Sequence, residues 1–271
     1  MVYMADIKSI SELKVVILAG GAQSTLNDER EGIPKPMVDL GGKPLLWHIM
    51  KQFSQHGFNE FIVCGGYHVD MIKEYFQDFY IYESDITVDL ATNTIEVHKN
   101  KTEDWKVTVV DTGLFSATGQ RVGMIERFIE NDIFLVTYGD CLSDIDFEEL
   151  VQVHCRENKE ATMAMVKPTG RSQLLPINED GILRYNQQNV SENDTAWINA
   201  DCYVFSKKVF RYLQGNYDLK QQPLITLSNK DELAVYRHYG YWSAIETKRD
   251  FVEAENLWNA GIAPWMRDRS V

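Results

Sequence analysis

The chain has 271 residues, enough for one large domain or for a domain with an appended module. Hydrophobic residues make up 44% and charged residues 25%, which excludes an intrinsically disordered chain. With 27 basic and 40 acidic side chains the net charge is −13, which disfavours binding to nucleic acid or to anionic membranes. The cationic partners of any phosphate ligand must therefore be concentrated in one place.

The beginning of the chain has no apolar core of signal-peptide length, and no later apolar run approaches the length of a membrane span. We therefore expect a cytoplasmic protein. The four cysteines are widely spaced and form no C-x-x-C pair, so we expect reduced thiols and neither a zinc knuckle nor a disulfide framework.

Strands and helices are predicted to alternate from the start. The β-branched apolar run 14–19 is typical of a strand buried on both faces of a parallel sheet. Pro44 opens a helical pattern that ends at Gly57, and residues 58–64 are again strand-like. This order predicts a βαβ unit.

The same alternation continues to the end of the chain. Further predicted elements are helices over 69–79 and 122–129, strands over 133–137, 161–166 and 198–205, and a C-terminal helix from Lys248. Residues 84–112 alternate in polarity and predict a β-rich insertion. We therefore predict a single α/β domain over 1–271, built on a doubly wound, mostly parallel sheet, with an N-terminal extension at 1–13 and a helical tail at 248–271.

Two features favour phosphate binding at the carboxyl ends of the strands, where open α/β sheets bind ligands. Gly20 and Gly21 allow the backbone to approach a ligand closely, and Lys35 between two prolines is a cation on a stiffened segment. Taken singly, each feature is better explained structurally, the glycines as a tight turn and Lys35 as a solvated loop residue. G-x-G-x-x-G and G-K-S/T are absent after the first strand, which disfavours dinucleotide-binding and P-loop proteins.

Two carboxylates end apolar stretches. Asp140 follows the strand over 133–137, where it either holds Mg²⁺ or caps the next turn. Glu246 ends a second apolar stretch and would be unremarkable alone.

A series of motifs then runs nearly end to end. They are Val-Ile-Leu-Ala-Gly-Gly at 16–21, Pro-Lys-Pro-Met-Val at 34–38, Gly-Gly-Lys-Pro-Leu-Leu-Trp-His-Ile-Met at 41–50, Ile-Lys-Glu-Tyr-Phe at 72–76, Val-Asp-Thr-Gly at 110–113, Tyr-Gly-Asp at 138–140, Ile-Asn at 198–199 and Ala-Pro-Trp at 263–265. In this order they resemble the sugar-1-phosphate nucleotidyltransferases. The segments at 47–50 and 110–113, with Thr118, Gly119 and Arg121, resemble most closely the glucose-1-phosphate cytidylyltransferase branch.

The resemblance implies a Rossmann-like fold and a known type of reaction. A sugar-1-phosphate oxygen attacks the α-phosphorus of a nucleoside triphosphate, with CTP favoured, and pyrophosphate leaves. Mg²⁺ is the implied cofactor and a homo-oligomer the implied assembly. Because no covalent intermediate is needed, catalysis consists of positioning and charge neutralisation.

The resemblance also implies a role for individual residues. Catalytic roles fall on Lys35, Arg121 and Asp140; nucleotide binding on Leu18, Ala19, Gly20, Gly21, Ser24, Lys35 and Gly139; acceptor binding on Arg171, Arg184, Gln188 and Asn199; and metal binding on Asp140 and Glu246.

The chain departs from the family pattern in the first loop, where Ser24 also replaces a threonine, in the stretch around Gln188, and at the second metal carboxylate, where Glu246 replaces the usual aspartate. Gln23 and Thr25 stand where the family has glycine and arginine, and Gln188 lies in the stretch where it has a lysine. Losing one charge-stabilising group costs about 10²–10³ in rate. Two hypotheses follow. The first is a working enzyme with a non-standard active site, in which Arg30, Arg184 or the substrate itself replaces the missing cations. The second is a catalytically impaired binding or regulatory subunit.

Overall fold

The apolar run predicted as the first strand is a central strand of the sheet. The computed structural model describes residues 10–21, 32–99, 103–167 and 197–266, and every structural statement below concerns these residues. Strand β1 (Lys14–Ala19) buries every side chain except the half-buried Lys14 and has a parallel neighbour on each side. Two buried faces explain why its sequence is continuously apolar.

The other elements follow in chain order. The strands are β2 (Asp39–Leu40), β3 (Lys43–Pro44), β4 (Glu60–Gly65), β5 (Asp85–Asp89), β6 (Thr94–Lys99), β7 (Lys106–Asp111), β8 (Ile133–Tyr138), β9 (Cys141–Ser143), β10 (Ala161–Val166), β11 (Ile198–Ser206), β12 (Leu233–His238) and β13 (Trp242–Ala244). The helices are α1 (Leu45–Ser54), α2 (Val69–Tyr82), α3 (Thr118–Met124), α4 (Phe147–Glu157), α5 (Gln222–Asn229) and α6 (Lys248–Asn259).

The central sheet has seven strands in the order β12-β10-β11-β8-β1-β4-β7. Strands β7, β4, β1 and β8 are mutually parallel, β12 is parallel to β10, and β11 runs antiparallel to both of its neighbours. The predicted mostly parallel α/β sheet is confirmed.

Helices cover both faces of this sheet. On β1, Val15 and Ile17 enter one apolar cluster with Leu46 of α1, whereas Val16 enters a second cluster with Val122 of α3. Each fully buried side chain of this size contributes about 1.5–3 kcal/mol. The two clusters fix the sheet from both sides and make its carboxyl edge a rigid support for loops.

Two predicted segments differ from the structure. The β-rich insertion is shorter than the predicted 84–112: residues 85–99 form a separate hairpin of β5 and β6, while β7 is an edge strand of the main sheet, parallel to β4. The helix predicted over 122–129 begins earlier, at Thr118, and gives way to a 3₁₀ turn at Glu126–Phe128. Apolar spacing indicated that helix but not the change in its winding.

Two of the motif segments meet in the core. The buried His48 of α1 contacts the Leu40 carbonyl through Nε2 at 2.8 Å, and its Nδ1 accepts a hydrogen bond from the Trp265 indole at 3.3 Å. An imidazole that donates from Nε2 and accepts at Nδ1 is neutral. Consistently, burial lowers the pKa of His48 to about 4. The Ala-Pro-Trp motif therefore fastens the end of the described chain to α1.

Within the described residues, the helices are all too short or too polar to cross a bilayer. The four cysteines are thiols, and three of them are buried. The expected cytoplasmic location stays a prediction.

Candidate active site

A cavity of about 560 Å³ opens at the carboxyl edge of the parallel strands. It is lined by Leu18, Ala19, Gly20, Gly21, Lys35, Pro36, Leu114, Phe115, Ser116, Ala117, Thr118, Arg121, Tyr138, Gly139, Asp140 and Asp218. Eight of these are residues that the sequence predicted for the site: Leu18, Ala19, Gly20, Gly21, Lys35, Arg121, Gly139 and Asp140. The cavity thus lies where an open α/β sheet binds its ligand.

Arg121 ties together the loops that follow three strands. It is only 3% exposed, and its guanidinium donates to the carbonyls of Gly20 at 2.7 Å and Gly113 at 2.8 Å and to the Thr112 hydroxyl at 2.6 Å. A further hydrogen bond reaches the Gly65 carbonyl at 3.2 Å. These partners lie at the ends of β1, β4 and β7, so one side chain fixes the floor of the cavity. The predicted contact of Arg121 with phosphate stays a prediction.

The two glycines of the first loop have different surroundings. A Cβ on Gly20 would overlap the Arg121 guanidinium, whereas a Cβ on Gly21 would meet nothing within 4 Å among the described residues. Gly20 is therefore required for the close approach of Arg121. Gly21 leaves backbone open towards the cavity, as a phosphate-binding loop requires.

Lys35 and Asp140 form an ion pair that also lines the cavity. Lys35 begins a 3₁₀ turn after Pro34, and its Nζ lies 2.9 Å from Oδ2 of Asp140. Both side chains are partly exposed, at 28% and 21%. Asp140 itself follows β8, where Gly139 allows the chain to pass against Pro36 and the end of β1. The pair places one cation and one hard oxygen ligand at the cavity.

Glu246 comes beside Asp140 through the backbone. Strands β9 and β13 pair, and the Ile245 N–H donates to the Asp140 carbonyl at 2.7 Å. A capping box between Thr247 and Asp250 then starts α6 and fixes the turn that carries Glu246, whose side chain is exposed. Among the described residues, three-ligand clusters of histidine, cysteine and carboxylate side chains are absent.

A second ion pair, which the sequence analysis missed, lies on the other side of Asp140. Lys220 Nζ donates to Asp201 Oδ2 at 2.8 Å and sits 4.5 Å from the ring centroid of Tyr138, a cavity residue. Asn199, which was predicted to bind the acceptor substrate, lies next to this pair. Its side-chain amide donates to the Tyr203 hydroxyl at 2.5 Å. No sequence signal marks Lys220, because only the tertiary fold brings the turn before α5 against β11.

The pKa values of this pair reflect its burial. Desolvation, with repulsion from Asp140, raises the pKa of Asp201 to about 6 despite the nearby ammonium. Burial alone would lower the pKa of Lys220, but the Asp201 carboxylate outweighs it, and the pKa is raised. Lys220 is therefore charged at neutral pH.

Several predicted residues lie outside the described part of the chain: Ser24, Arg171, Arg184 and Gln188, together with Gln23, Thr25 and Arg30. Their roles stay predictions.

Comparison with known proteins gives this site its family. Residues 14–259 match the family model described as nucleotidyl transferase. The chain belongs to that family. The nucleotidyltransferase is 40% identical over 255 residues to glucose-1-phosphate cytidylyltransferase of Salmonella typhimurium, with 93% of this chain and 98% of that protein covered. It is 37% identical to a probable glucose-1-phosphate cytidylyltransferase of Bacillus subtilis, with 93% and 99% covered.

The fold has solved counterparts. HddC from Yersinia pseudotuberculosis superimposes with a TM-score of 0.69 at 22% identity, covering 91% of this chain and 99% of that one. At this identity the likeness shows the fold alone. The resemblance to sugar-1-phosphate nucleotidyltransferases, and the expectation that the chain is an enzyme of that kind, are confirmed by the family match and the cytidylyltransferase relatives.

Proposed function

We propose that this nucleotidyltransferase transfers a cytidylyl group from CTP to a sugar-1-phosphate in a Mg²⁺-dependent reaction. The observation that carries the proposal is the Lys35–Asp140 pair, which lines the same cavity as Gly20 and Gly21, a cavity of nucleotide size at the carboxyl edge of the sheet. Relatives named glucose-1-phosphate cytidylyltransferase support cytosine as the base and glucose 1-phosphate as the first acceptor to test.

The reaction requires positioning more than covalent chemistry. An oxygen of the sugar phosphate forms a bond to the α-phosphorus of CTP, the bond from that phosphorus to the bridging oxygen breaks, and pyrophosphate leaves with the electron pair. The backbone at Gly20 and Gly21 would bind the nucleotide, with Arg121 holding this backbone in place. Lys35 would stabilise negative charge on the phosphates as the bond breaks.

The side chains at the cavity fit a magnesium ion. Asp140 already faces a cation, the Lys35 ammonium, and the exposed Glu246 directly follows Ile245, whose N–H donates to the Asp140 carbonyl. Mg²⁺ is bound in proteins by one or two carboxylates, with waters and substrate phosphates completing its shell. When bound, the ion would neutralise phosphate charge. Asp140 and Glu246 would hold it, and Lys35 would then turn from Asp140 to the substrate.

The alternative of a catalytically impaired subunit is not favoured. Relatives that are named as enzymes cover nearly the whole chain, and the Lys35–Asp140 pair is intact. Gln188 lies in the acceptor-binding stretch, so its departure from the family lysine is compatible with an altered acceptor.

We also propose that the protein self-associates through the β5–β6 hairpin. A two-stranded hairpin is marginally stable alone, and this one exposes Ile86, Val88, Leu90, Ile95 and Val97. A second copy of the chain would cover them. We expect light scattering after size-exclusion chromatography to give the mass of an oligomer. The double variant Val88→Lys with Ile95→Lys should give a smaller mass. An unchanged mass would exclude the hairpin as the interface.

A thermal-shift panel tests the proposed function. CTP with Mg²⁺ should raise the melting temperature more than ATP, GTP or UTP, and pyrophosphate release should follow when glucose 1-phosphate or another sugar phosphate is added. Stabilisation by CTP without release for any acceptor would support the impaired alternative. No stabilisation by any nucleotide would refute the proposal.

A further inference from the structure

The Lys220–Asp201 pair lies next to the cavity, where Lys220 contacts the ring of the cavity residue Tyr138. Strand β11, which carries Asp201, flanks β8 on the side opposite β1. The loops tied together by Arg121 follow β1, β4 and β7, on the far side of β8. Asp140 stands between the two sides. If the nucleotide occupies the β1 side, the acceptor must approach Asp140 from the β11 side.

Asp201 is held in a conformation that a side chain rarely adopts. Its φ is +56°, in the left-handed region, although it is neither glycine nor exposed. The Asp201 N–H donates to Asn199 Oδ1 at 2.9 Å, and the Tyr203 hydroxyl donates to Oδ1 of Asp201 at 3.3 Å. Strained, buried polar residues of this kind cluster at functional sites. The strain is compensated by contacts that aim the carboxylate at Lys220.

The ammonium of Lys220 retains hydrogen-bonding capacity. Among the residues that the structure describes, Asp201 is the one hydrogen-bond partner of Nζ, so two of its three N–H groups remain for a ligand. The side chain is 40% exposed, while that of Asp201 is 10% exposed. Because the carboxylate offsets the charge of the ammonium, the pair suits neutral hydroxyl groups better than phosphate.

We propose that Lys220 is a specificity-determining residue that donates hydrogen bonds to hydroxyl oxygens of the acceptor sugar, with Asp201 as its positioning residue. This inference rests on the proposed function, since it assigns a residue to the acceptor of that reaction. Lys220 would supply a cation for acceptor binding. It lies outside the stretch around Gln188, where the family has a lysine and this chain does not.

The first test separates acceptor binding from nucleotide binding. In Lys220→Met the KM for glucose 1-phosphate, or for the best acceptor found, should rise about tenfold or more, while the KM for CTP changes less than twofold. Lys230→Met is the matched control, because Lys230 Nζ also sits over a tyrosine ring, 4.7 Å from the centroid of Tyr212, at the other end of α5. Equal changes in both KM values, or none in Lys220→Met, would overturn the inference.

The second test identifies hydroxyl groups as the partner. Wild type and Lys220→Met are compared on monodeoxy analogues of the acceptor. At least one analogue should be about tenfold poorer for wild type yet as good as the parent sugar for the variant, because the missing hydroxyl and the missing ammonium belong to the same hydrogen bond. If the variant loses the same factor on every analogue as on the parent sugar, Lys220 binds the phosphate instead, and the inference fails.

A third variant tests the positioning role. Asp201→Gly suits the positive φ and removes the carboxylate, so it should fold while raising the acceptor KM and leaving the CTP KM unchanged. An acceptor KM equal to that of wild type would remove Asp201 from the proposal.

Failure of the proposed function stays distinguishable from failure of this inference. If wild type releases no pyrophosphate, the proposed reaction is wrong. The role of Lys220 is then tested separately, by calorimetric titration of wild type and Lys220→Met with glucose 1-phosphate. Binding that Lys220→Met weakens about tenfold would uphold it. Binding that the variant leaves unchanged, or no binding by wild type, would overturn it.

Discussion

Asp140 is the residue on which the proposed chemistry depends most. Its carboxylate pairs with Lys35, and its backbone carbonyl accepts a hydrogen bond from Ile245, the residue before Glu246. An aspartate that only capped a turn would have its carboxylate on backbone N–H groups, whereas Asp140 has it on an ammonium at the cavity wall. The carboxylate is therefore available to a metal ion once Lys35 moves to a substrate.

Replacing this carboxylate should remove activity without unfolding the protein. Asp140→Asn keeps the size of the side chain but loses the charge, so we expect pyrophosphate release to fall by at least about 10²–10³. The melting temperature should stay within about 2 °C, because partly exposed ion pairs contribute little stability. Glu253→Gln on α6 serves as the control carboxylate. Activity that persists in Asp140→Asn would refute the metal assignment.

Arg121 should affect both stability and nucleotide binding. Lysine in its place cannot present the forked N–H groups that reach the carbonyls of Gly20 and Gly113, so these oxygens lose their partners. We expect Arg121→Lys to lower the free energy of unfolding by about 2–4 kcal/mol and to raise the KM for CTP. The exposed Arg127, one turn further along, provides the control Arg127→Lys. Chemical denaturation with unchanged stability would show that the arginine is not structural.

At the scale of elements, the loop after β1 combines two different glycines. Gly20→Ala should displace Arg121 and destabilise the fold by about 2–3 kcal/mol, since the added methyl overlaps the guanidinium. Gly21→Ala should leave the melting temperature nearly unchanged and instead raise the KM for CTP, because its methyl projects into the cavity. Thermal melts and CTP kinetics on both variants check this. The reverse assignment of the two effects would contradict the loop model.

Periodicity predicted the elements whose surroundings are uniform. β1 is apolar throughout because both its faces are buried, and α1 shows helical spacing of its apolar residues because these side chains enter the cluster that packs on the sheet. The sequence could not reveal that the Arg121 guanidinium donates to backbone carbonyls, since those oxygens belong to three segments far apart in the chain. The Lys220–Asp201 pair was not predicted for the same reason, because it forms only when β11 packs against the turn before α5.

At the scale of the whole molecule, the acidic surface makes the location of cations decisive. With a net charge of −13, the protein repels a nucleoside triphosphate except where positive charge is concentrated. Lys35 and Arg121 both line the cavity at one edge of the sheet. The concentration of cations that the composition required is therefore present.

Stability should decline in mild acid because of two buried histidines. Burial lowers the pKa of His48 and of His154 to about 4, whereas an unfolded imidazole titrates near 6.5. Below pH 6.5 the unfolded chain takes up protons that the folded protein cannot, so stability is full above about pH 6.5 and is lost as the pH falls towards 4. Each histidine lowers the free energy of unfolding by about 2 kcal/mol at pH 5.

A histidine variant tests the predicted loss of stability at low pH. His154 contacts the Thr162 hydroxyl through Nδ1 at 2.9 Å, and asparagine can keep that contact. Denaturation of His154→Asn between pH 7.5 and 5 should therefore show a pH dependence about 2 kcal/mol shallower than wild type. Asp201 opposes the trend in both proteins, since its raised pKa favours the folded state below about pH 6. Parallel curves for the two proteins would contradict the assignment.

The central claim, cytidylyl transfer to a sugar phosphate, is tested most directly by ³¹P NMR of the purified protein with CTP, glucose 1-phosphate and Mg²⁺. The account predicts the paired resonances of a nucleoside diphosphate sugar, growing together with pyrophosphate and absent with Asp140→Asn. If CTP and every sugar phosphate in a panel remain unconverted while CTP binds in the cavity, the claim of cytidylyl transfer is contradicted.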